Sequence, residues 1–347
     1  MNRFLQLHLL TFVPPANLNR DDVGQPKTAV VGGATRLRIS SQALKRAWRT
    51  SAIFNTALDG HMGKRTQRLG DDVLKHLIGG GMTEVKATET ARDIAGVFGK
   101  LKDIKDDHNT RIEQLAFISP EERAAAVALA DRALAGEKID PKNAGLLRRA
   151  DTAADIAMFG RMLAADPDYN REAAVQVAHA ITTHRVTVED DYYTAVDDLK
   201  TSAEDAGAGF LGEAAFGSGV FYFYLCVDRA LLLRNLGEAE TELAATATAA
   251  LTEAAATVLP SGKQTSFAAF GRAHYVLAER GDRQPRTLAG AFAEPVKGET
   301  LMADSIARLR AFRSCMDEAY GPAAEACAEM ELGKTGTLAD IVAFARG

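Results

Sequence analysis

The sequence predicts an α+β fold, on two observations. β-type runs recur along the chain, at 4–13 (FLQLHLLTFV), 36–39 (RLRI), 176–186 (QVAHAITTHRV) and 220–227 (VFYFYLCV). Between and after them lie stretches of Ala, Leu, Thr and charged residues, at 64–163, 238–258, 302–319 and 337–346, which read as mostly helical. The balance of the 347 residues, 47% hydrophobic and 25% charged, is globular and excludes a wholly disordered chain. No run approaches the roughly 18 apolar residues of a membrane span, so no membrane partner is expected. The opening MNRFLQLHLL continues into TFVPPANLNRDD without the basic start or small-residue cleavage site of a secretory signal. Cys226, Cys315 and Cys327 form no CxxC and suit a reducing cytoplasm.

Each element has a local reason. Pro14-Pro15 ends the first β run. Residues 16–35, with Asn17, Asn19, Asp21, Asp22, Gly24, Pro26, Gly32 and Gly33, read as one long turn-rich loop, a length that usually marks function. Ser40 or Ser41 then caps a helix. On it Gln42, Lys45, Arg46 and Arg49 share one face, while Leu44 and Trp48 lie on another that suits packing on a sheet. Ser119-Pro120-Glu121-Glu122 is a helix start with a capping box, and Asp140-Pro141 reads as a second start. Residues 189–217 are polar, acidic and Gly-rich and sit between two β runs. They read as an excursion that leaves the sheet on one strand, returns on the next, and touches something beyond it.

Charge is uneven. Residues 1–50 carry eight Lys and Arg against two acids, a net +6, so the other 297 residues sum to −11. A basic patch on an acidic body can hold a polyanion locally. Catalytic signatures are missing: there is no GxxxxGK[ST], no HExxH, and Gly-Ser-Gly at 217–219 lacks the GxSxG spacing. His179 and His184 are five apart, which places them on one face of neither a helix nor a strand. Asp21-Asp22 suits a turn or an Arg partner better than an acid–base pair. The remaining signals are a basic loop, a basic helix face and helix-start hydroxyls, a set that binds phosphate, with Tyr192 and Tyr193 available to stack on bases.

These residues also carry a resemblance. Leu18-Asn19-Arg20-Asp21-Asp22, Gln25, Lys27, Gly32-Gly33, Arg38-Ile39-Ser40-Ser41-Gln42 and Leu44-Lys45-Arg46-Ala47 come first. Then follow Gly160-Arg161-Met162, His179-Ala180-Ile181-Thr182-Thr183-His184, Thr194-Ala195-Val196-Asp197-Asp198-Leu199, Ser218-Gly219-Val220-Phe221-Tyr222, Lys263-Gln264 and Ala268-Ala269-Phe270. In this order they resemble the backbone subunit of the type I-E CRISPR Cascade complex, the CasC family.

The resemblance implies a hand: a ferredoxin-like (RRM-type) palm at 1–63, 164–188 and 218–347, helical fingers at 64–163, and a β-hairpin thumb at 189–217. It implies a non-catalytic crRNA-binding protein without cofactor or metal. Copies of it stack head to tail as a filament along the spacer in the cytoplasm, kink the guide and present it to target DNA in antiviral defence. Its partners would be crRNA, target DNA through the complex, further copies of itself and the other Cascade subunits. Carried onto this chain, Asn19, Arg20, Gln25, Lys27, Arg38, Ser40, Gln42, Lys45, Arg46, Arg49 and Lys263 would hold RNA, largely by phosphate contacts that do not read sequence. Met162 would abut a flipped base, with Tyr193, Thr194 and Val196 wedged on its other side. Where some members carry a lysine-rich finger helix, residues 119–137 here offset their arginines with acids, leaving Lys100, Lys102 and Lys105 as the basic cluster. Two alternatives stay open: an RNA-guided ribonuclease of type III-like kind using Asp21 or Asp22, and a stand-alone RRM-type RNA-binding module.

Overall fold

The computed structural model describes residues 2–163, 166–195 and 210–347. Its strands are β1 (Phe4–Ala16), β2 (Thr28–Val31), β3 (Ala34–Ile39), β4 (Lys64–Thr66), β5 (Ala116–Ile118), β6 (Val175–Val177), β7 (Ala180–Thr182), β8 (Glu189–Ala195), β9 (Phe210–Asp228), β10 (Ala273–Gly281) and β11 (Ala326–Glu331). Its helices are α1 (Ser41–Arg49), α2 (Ala52–Ala57), α3 (Leu69–Gly79), α4 (Glu84–Ala95), α5 (Pro120–Leu134), α6 (Ala154–Phe159), α7 (Arg229–Leu236), α8 (Thr241–Thr257), α9 (Gln264–Phe267), α10 (Leu301–Tyr320) and α11 (Leu338–Arg346). No helix among the described residues is long and apolar enough to cross a membrane.

A nine-stranded sheet runs in the order β11-β10-β1-β9-β7-β3-β2, with β6 and β8 also paired to β9. The pairings of β10 with β1 and β11, of β7 with β3 and β9, and of β2 with β3 are antiparallel. β1 is buried on both faces from Leu5 to Leu10, with Leu5, Leu7 and Leu9 on one face and the polar Gln6 and His8 on the other. It continues through Pro14 and Pro15 to Ala16, past the end expected at the prolines. Their fixed φ fits an extended strand and removes only the N–H donors. The expected 16–35 loop is likewise more structured. Gly32 and Gly33, at φ 59° and 68°, turn β2 back onto β3 with Val31 opposite Ala34.

The chain forms two compact units. One comprises Met1–Ile53, Val177–Cys226 and Ala249–Gly347. Its core includes Leu10, Tyr222, Tyr275, Leu277, Phe292, Ile306 and Leu309. Polar groups are built into the same unit. His8 lies 2.8 Å from the Tyr222 hydroxyl and 3.2 Å from Glu279, whose carboxylate also accepts from Arg286 and Arg313. β8 pairs with the first part of β9, Glu189 opposite Phe216 through Ala195 opposite Phe210, so β9 is both the hairpin's return arm and a sheet strand.

The other unit comprises Phe54–Gln176 and Val227–Thr248. Its core joins Leu69, Val73 and Leu77 of α3, Ala91 and Ile94 of α4, and Leu129 of α5. The Ser119 capping box is present, with Glu122 N–H on Ser119 Oγ and Ser119 N–H on Glu122 Oε2, both 3.1 Å. The stretch expected to be helical also holds a two-stranded ladder, β4 against β5. Asp140-Pro141 opens only a single 3-10 turn, Pro141–Asn143, with no side-chain cap bond. α7 joins this unit because Asn235 Nδ2 donates to the carbonyls of Ala157 and Glu172, at 3.0 and 2.9 Å.

Candidate nucleic-acid interface

In the first unit the residues after β1 fold into a tight turn. Arg20 bridges Pro26, and Asp21 N–H donates to Gln25 O at 2.9 Å. Asp21 Oδ1 accepts from the backbone N–H of Val23 and Gln25, at 3.1 and 2.9 Å. The carboxylate is therefore occupied in shaping its own turn. Lys27 is held on both sides, its N–H on Asn19 O at 2.8 Å and its carbonyl accepting from Arg38 N–H at 2.7 Å. Asn19 Oδ1 accepts from Ser40 N–H at 2.8 Å, which ties the turn to the start of α1. Ser40 is the cap, its Oγ accepting from Ala43 N–H at 3.3 Å. The side chains of Asn19 and Ser40 thus build the surface that Arg20, Gln25, Lys27 and Arg38 present.

α1 divides by face as its spacing predicts. Leu44 and Trp48 are buried, and Trp48 Nε1 donates to Val258 O at 3.2 Å. Gln42 and Arg46 are exposed, and Lys45 and Arg49 are half-buried. Burial holds the Lys45 ammonium below the usual lysine pKa, so an anion beside it would restore much of what desolvation costs. Arg38 reaches the exposed His179, which sits between β6 and β7. Partial burial and then the charges of Arg38 and Lys27 lower the His179 pKa. His184 is different: its Nε2 accepts from Val220 N–H at 3.1 Å and its Nδ1 donates to Arg185 O at 2.8 Å, a neutral ring fixed in place.

Lys263 is exposed and left-handed at φ 53°, beside Gly262. A Cβ on Gly262 would overlap the Leu18 carbonyl, so this segment lies directly against the turn. Asn19, Arg20, Asp22, Gly24 and Gly262 line one open depression. On the hairpin, Tyr192, Tyr193 and Thr194 are exposed. Val196 lies outside the described residues. Arg36, counted in the basic N-terminal charge, is 0% exposed and donates to the carbonyls of Thr182 and Phe292, at 2.9 and 3.1 Å, so it adds nothing to the surface. Among the described residues no cluster of three His, Cys, Asp or Glu is placed to hold a metal ion.

The chain as a whole is similar to known proteins. The CT1975-like protein family matches residues 5–342, nearly the whole chain. The chain belongs to that family. No curated protein matches it. Among solved structures, a chain of a "CRISPR RNA-guided surveillance complex, pre-nicking" is 29% identical with a TM-score of 0.83, covering 99% of this chain and 100% of that one. A chain of a "CRISPR RNA-guided surveillance complex" is 26% identical with a TM-score of 0.73, covering 97% and 94%.

In this CT1975-like chain, Met162 belongs to the second unit and is 78% exposed. The motif that contains it divides by job. Gly160, at φ 78°, makes the turn after α6. Arg161 is buried, paired with Glu122 at 2.6 Å and donating to the carbonyls of Phe117, Arg148 and Tyr169. Met162 is left on display. In the same unit Lys100 pairs with Glu113 and Lys102 with Asp106, at 2.8 and 3.6 Å, which offsets two of the three cluster lysines. Sequence reasoning passed over His179 as ordinary. Its signal would have been the register that sets Ala180 opposite Ile39, next to Arg38.

Proposed function

We propose that this protein is a non-catalytic crRNA-binding backbone subunit of a CRISPR RNA-guided surveillance complex of the type I-E kind, working in the cytoplasm. The observation that carries the reading is similarity over 99% of this chain and 100% of a chain of such a complex. The surface of Arg20, Lys27, Arg38, Lys45, Arg46, Arg49 and Lys263 agrees with it, because cations without base-reading partners suit a carrier that must accept any spacer. The strand order β10-β1-β9-β7, with α1 following β1 and α8 between β9 and β10, supports a ferredoxin-like, RRM-type palm. In this reading the second unit supplies the fingers and the β8–β9 hairpin is the thumb. Copies stack head to tail, an arrangement that stays open and whose length the RNA and the end subunits set. Target DNA pairs with the presented guide, and the other subunits complete the complex. The use of Asp21 in its own turn favours a structural role for that acid over RNA cleavage.

The test is co-expression with the neighbouring operon genes and a CRISPR array, followed by sizing and sequencing of the nucleic acid that co-purifies. A large particle with several copies of this chain and a uniform crRNA is expected. A small particle with mixed cellular RNA would favour the stand-alone RNA-binding module, and one without RNA would overturn the reading.

A further inference from the structure

Asn17 lies at the end of β1 and is only 2% exposed. Its Nδ2 donates to the Gly24 carbonyl at 3.0 Å, bracing the 19–27 turn from within. The same nitrogen donates to the Ala215 carbonyl at 2.9 Å. Ala215 is on the part of β9 that pairs with β8, where it faces Asp190. Two carbonyls on one nitrogen fix which end of the amide faces them. The other end, Oδ1, is buried and accepts no hydrogen bond among the described residues. Burying an unmatched acceptor is unfavourable, and the two bonds of the nitrogen are what offset that cost. Among the described residues the turn's other bonds run within it and, through Asn19 and Lys27, to the start of α1 and to β3. The hairpin's ladder joins β8 to β9. Asn17 links these two hydrogen-bonded systems.

We propose that Asn17 is a positioning residue that locks the cation-bearing turn 19–27 to the base of the β8–β9 hairpin, so that a bound RNA strand meets both as one preset surface. This rests on the RNA-binding reading above. Preset surfaces bind more tightly because less ordering remains to be done on association.

The coupling is read first on the free chain by hydrogen exchange. In Asn17→Ala, amides of the turn (Val23, Gln25, Lys27) and of the hairpin (190–194 and 212–216) should exchange faster together, while Val276–Glu279 of β10 stay as in the wild type. Faster exchange in only one of the two segments, or in β10 as well, overturns the proposal. Should the alanine variant not fold, Asn17→Leu keeps nearly the same side-chain size, removes both donations without burying a charge and is read in the same way. The second measurement is binding of a short single-stranded RNA. Asn17→Ala should lose about tenfold in affinity, and Lys27→Ala should cost less in that background than in the wild type, as coupled sites do. An unchanged affinity, or strictly additive losses, overturns the proposal. If wild type and Lys27→Ala bind RNA equally poorly, the RNA-binding reading falls, and exchange alone still decides whether Asn17 couples turn and hairpin.

Discussion

Arg38 donates from Nη1 to Nδ1 of His179 across 2.9 Å, so the neutral imidazole accepts there and keeps its own proton on Nε2. Partial burial, then the charges of Arg38 and Lys27, lower the His179 pKa from 6.5. Below 6.5 the unfolded chain binds more protons at this site than the folded chain does. The site's contribution to stability is therefore full above 6.5 and is lost as pH falls toward the depressed value. A phosphate placed between Arg38 and Lys27 would offset their charges and raise the His179 pKa. RNA affinity should then increase as pH falls below 6.5, by about two- to fivefold between about pH 8 and about pH 5.5. The check is fluorescence anisotropy at constant ionic strength, with His179→Gln expected to flatten the profile. His184, fixed by Val220 and Arg185, stays as a common background. An identical profile in wild type and variant would remove His179 from the interface.

The α1 cations make a different prediction, because they act by charge and not by titration. Each phosphate contact on a single strand contributes about 0.7 to the slope of log affinity against log salt. Lys45→Ala combined with Arg49→Ala should lower that slope by about 1.4 and weaken binding to unrelated RNA sequences alike. Titration of several sequences at four salt concentrations measures both. Losses confined to one sequence would show that these residues read bases.

Tyr193 faces Gly212 across the hairpin, and a Cβ at 212 would fall 2.5 Å from the ring carbon Cζ. The glycine lets the ring lie across the neighbouring strand, as aromatic residues cover strand glycines elsewhere. Gly212→Ala should therefore push the ring aside and reproduce most of the affinity loss of Tyr193→Ala. Tyr193 is 44% exposed, so the change in global stability should stay within about 0.5 kcal/mol. The double variant should lose little more than either single one, since both act through one ring. RNA binding alongside urea unfolding tests this, and additive losses would refute it.

What the sequence discloses here follows the range of the forces involved. α1 is legible in detail because its cap, its cations and its Leu44–Trp48 face all lie within one nine-residue helix. The Ser119 capping box and the two paired arms of the 189–217 excursion are legible for the same reason, their signals being local, while residues 196–209 of it lie outside the described residues. Arg36 misleads because its spacing is that of a surface strand residue, while the carbonyls that hold it are 146 and 256 residues away. His179 acquires meaning from Arg38, 141 residues earlier. Asn17 looks like one more turn residue until Ala215, 198 residues later, comes to its amide. β2 was hidden because Thr28–Val31 is only four residues long and lies among turn formers. Local patterns thus outline the elements, and tertiary partners assign the polar side chains their work.

The polar group inside the first unit yields the last prediction. Glu279 is 0% exposed and accepts from Arg286 at 2.6 and 3.2 Å and from Arg313 at 2.8 Å. Burial alone would raise its pKa, but His8 and Arg286 outweigh burial and hold the carboxyl well below the usual carboxylate range. A depressed carboxylate pKa gives stability that is complete above the unfolded value of 4.5 and is lost as pH falls toward the folded one. Glu279→Gln removes the charge that Arg286, 12% exposed, and Arg313, 25% exposed, both pair with. Breaking a buried ion pair from one side costs about 3–5 kcal/mol, and here Asp317 still faces both guanidiniums, so the lower end applies. Trp48, the chain's one tryptophan, is buried in the same unit and reports its unfolding by fluorescence. Urea unfolding at neutral pH should show a deficit of about 3 kcal/mol for the variant. The gap should narrow as pH drops below 4.5, because the unfolded wild type then binds a proton at Glu279 that the folded chain does not. A gap that stays constant through that range would mean that Glu279 stabilises the unit by packing and not by its charge.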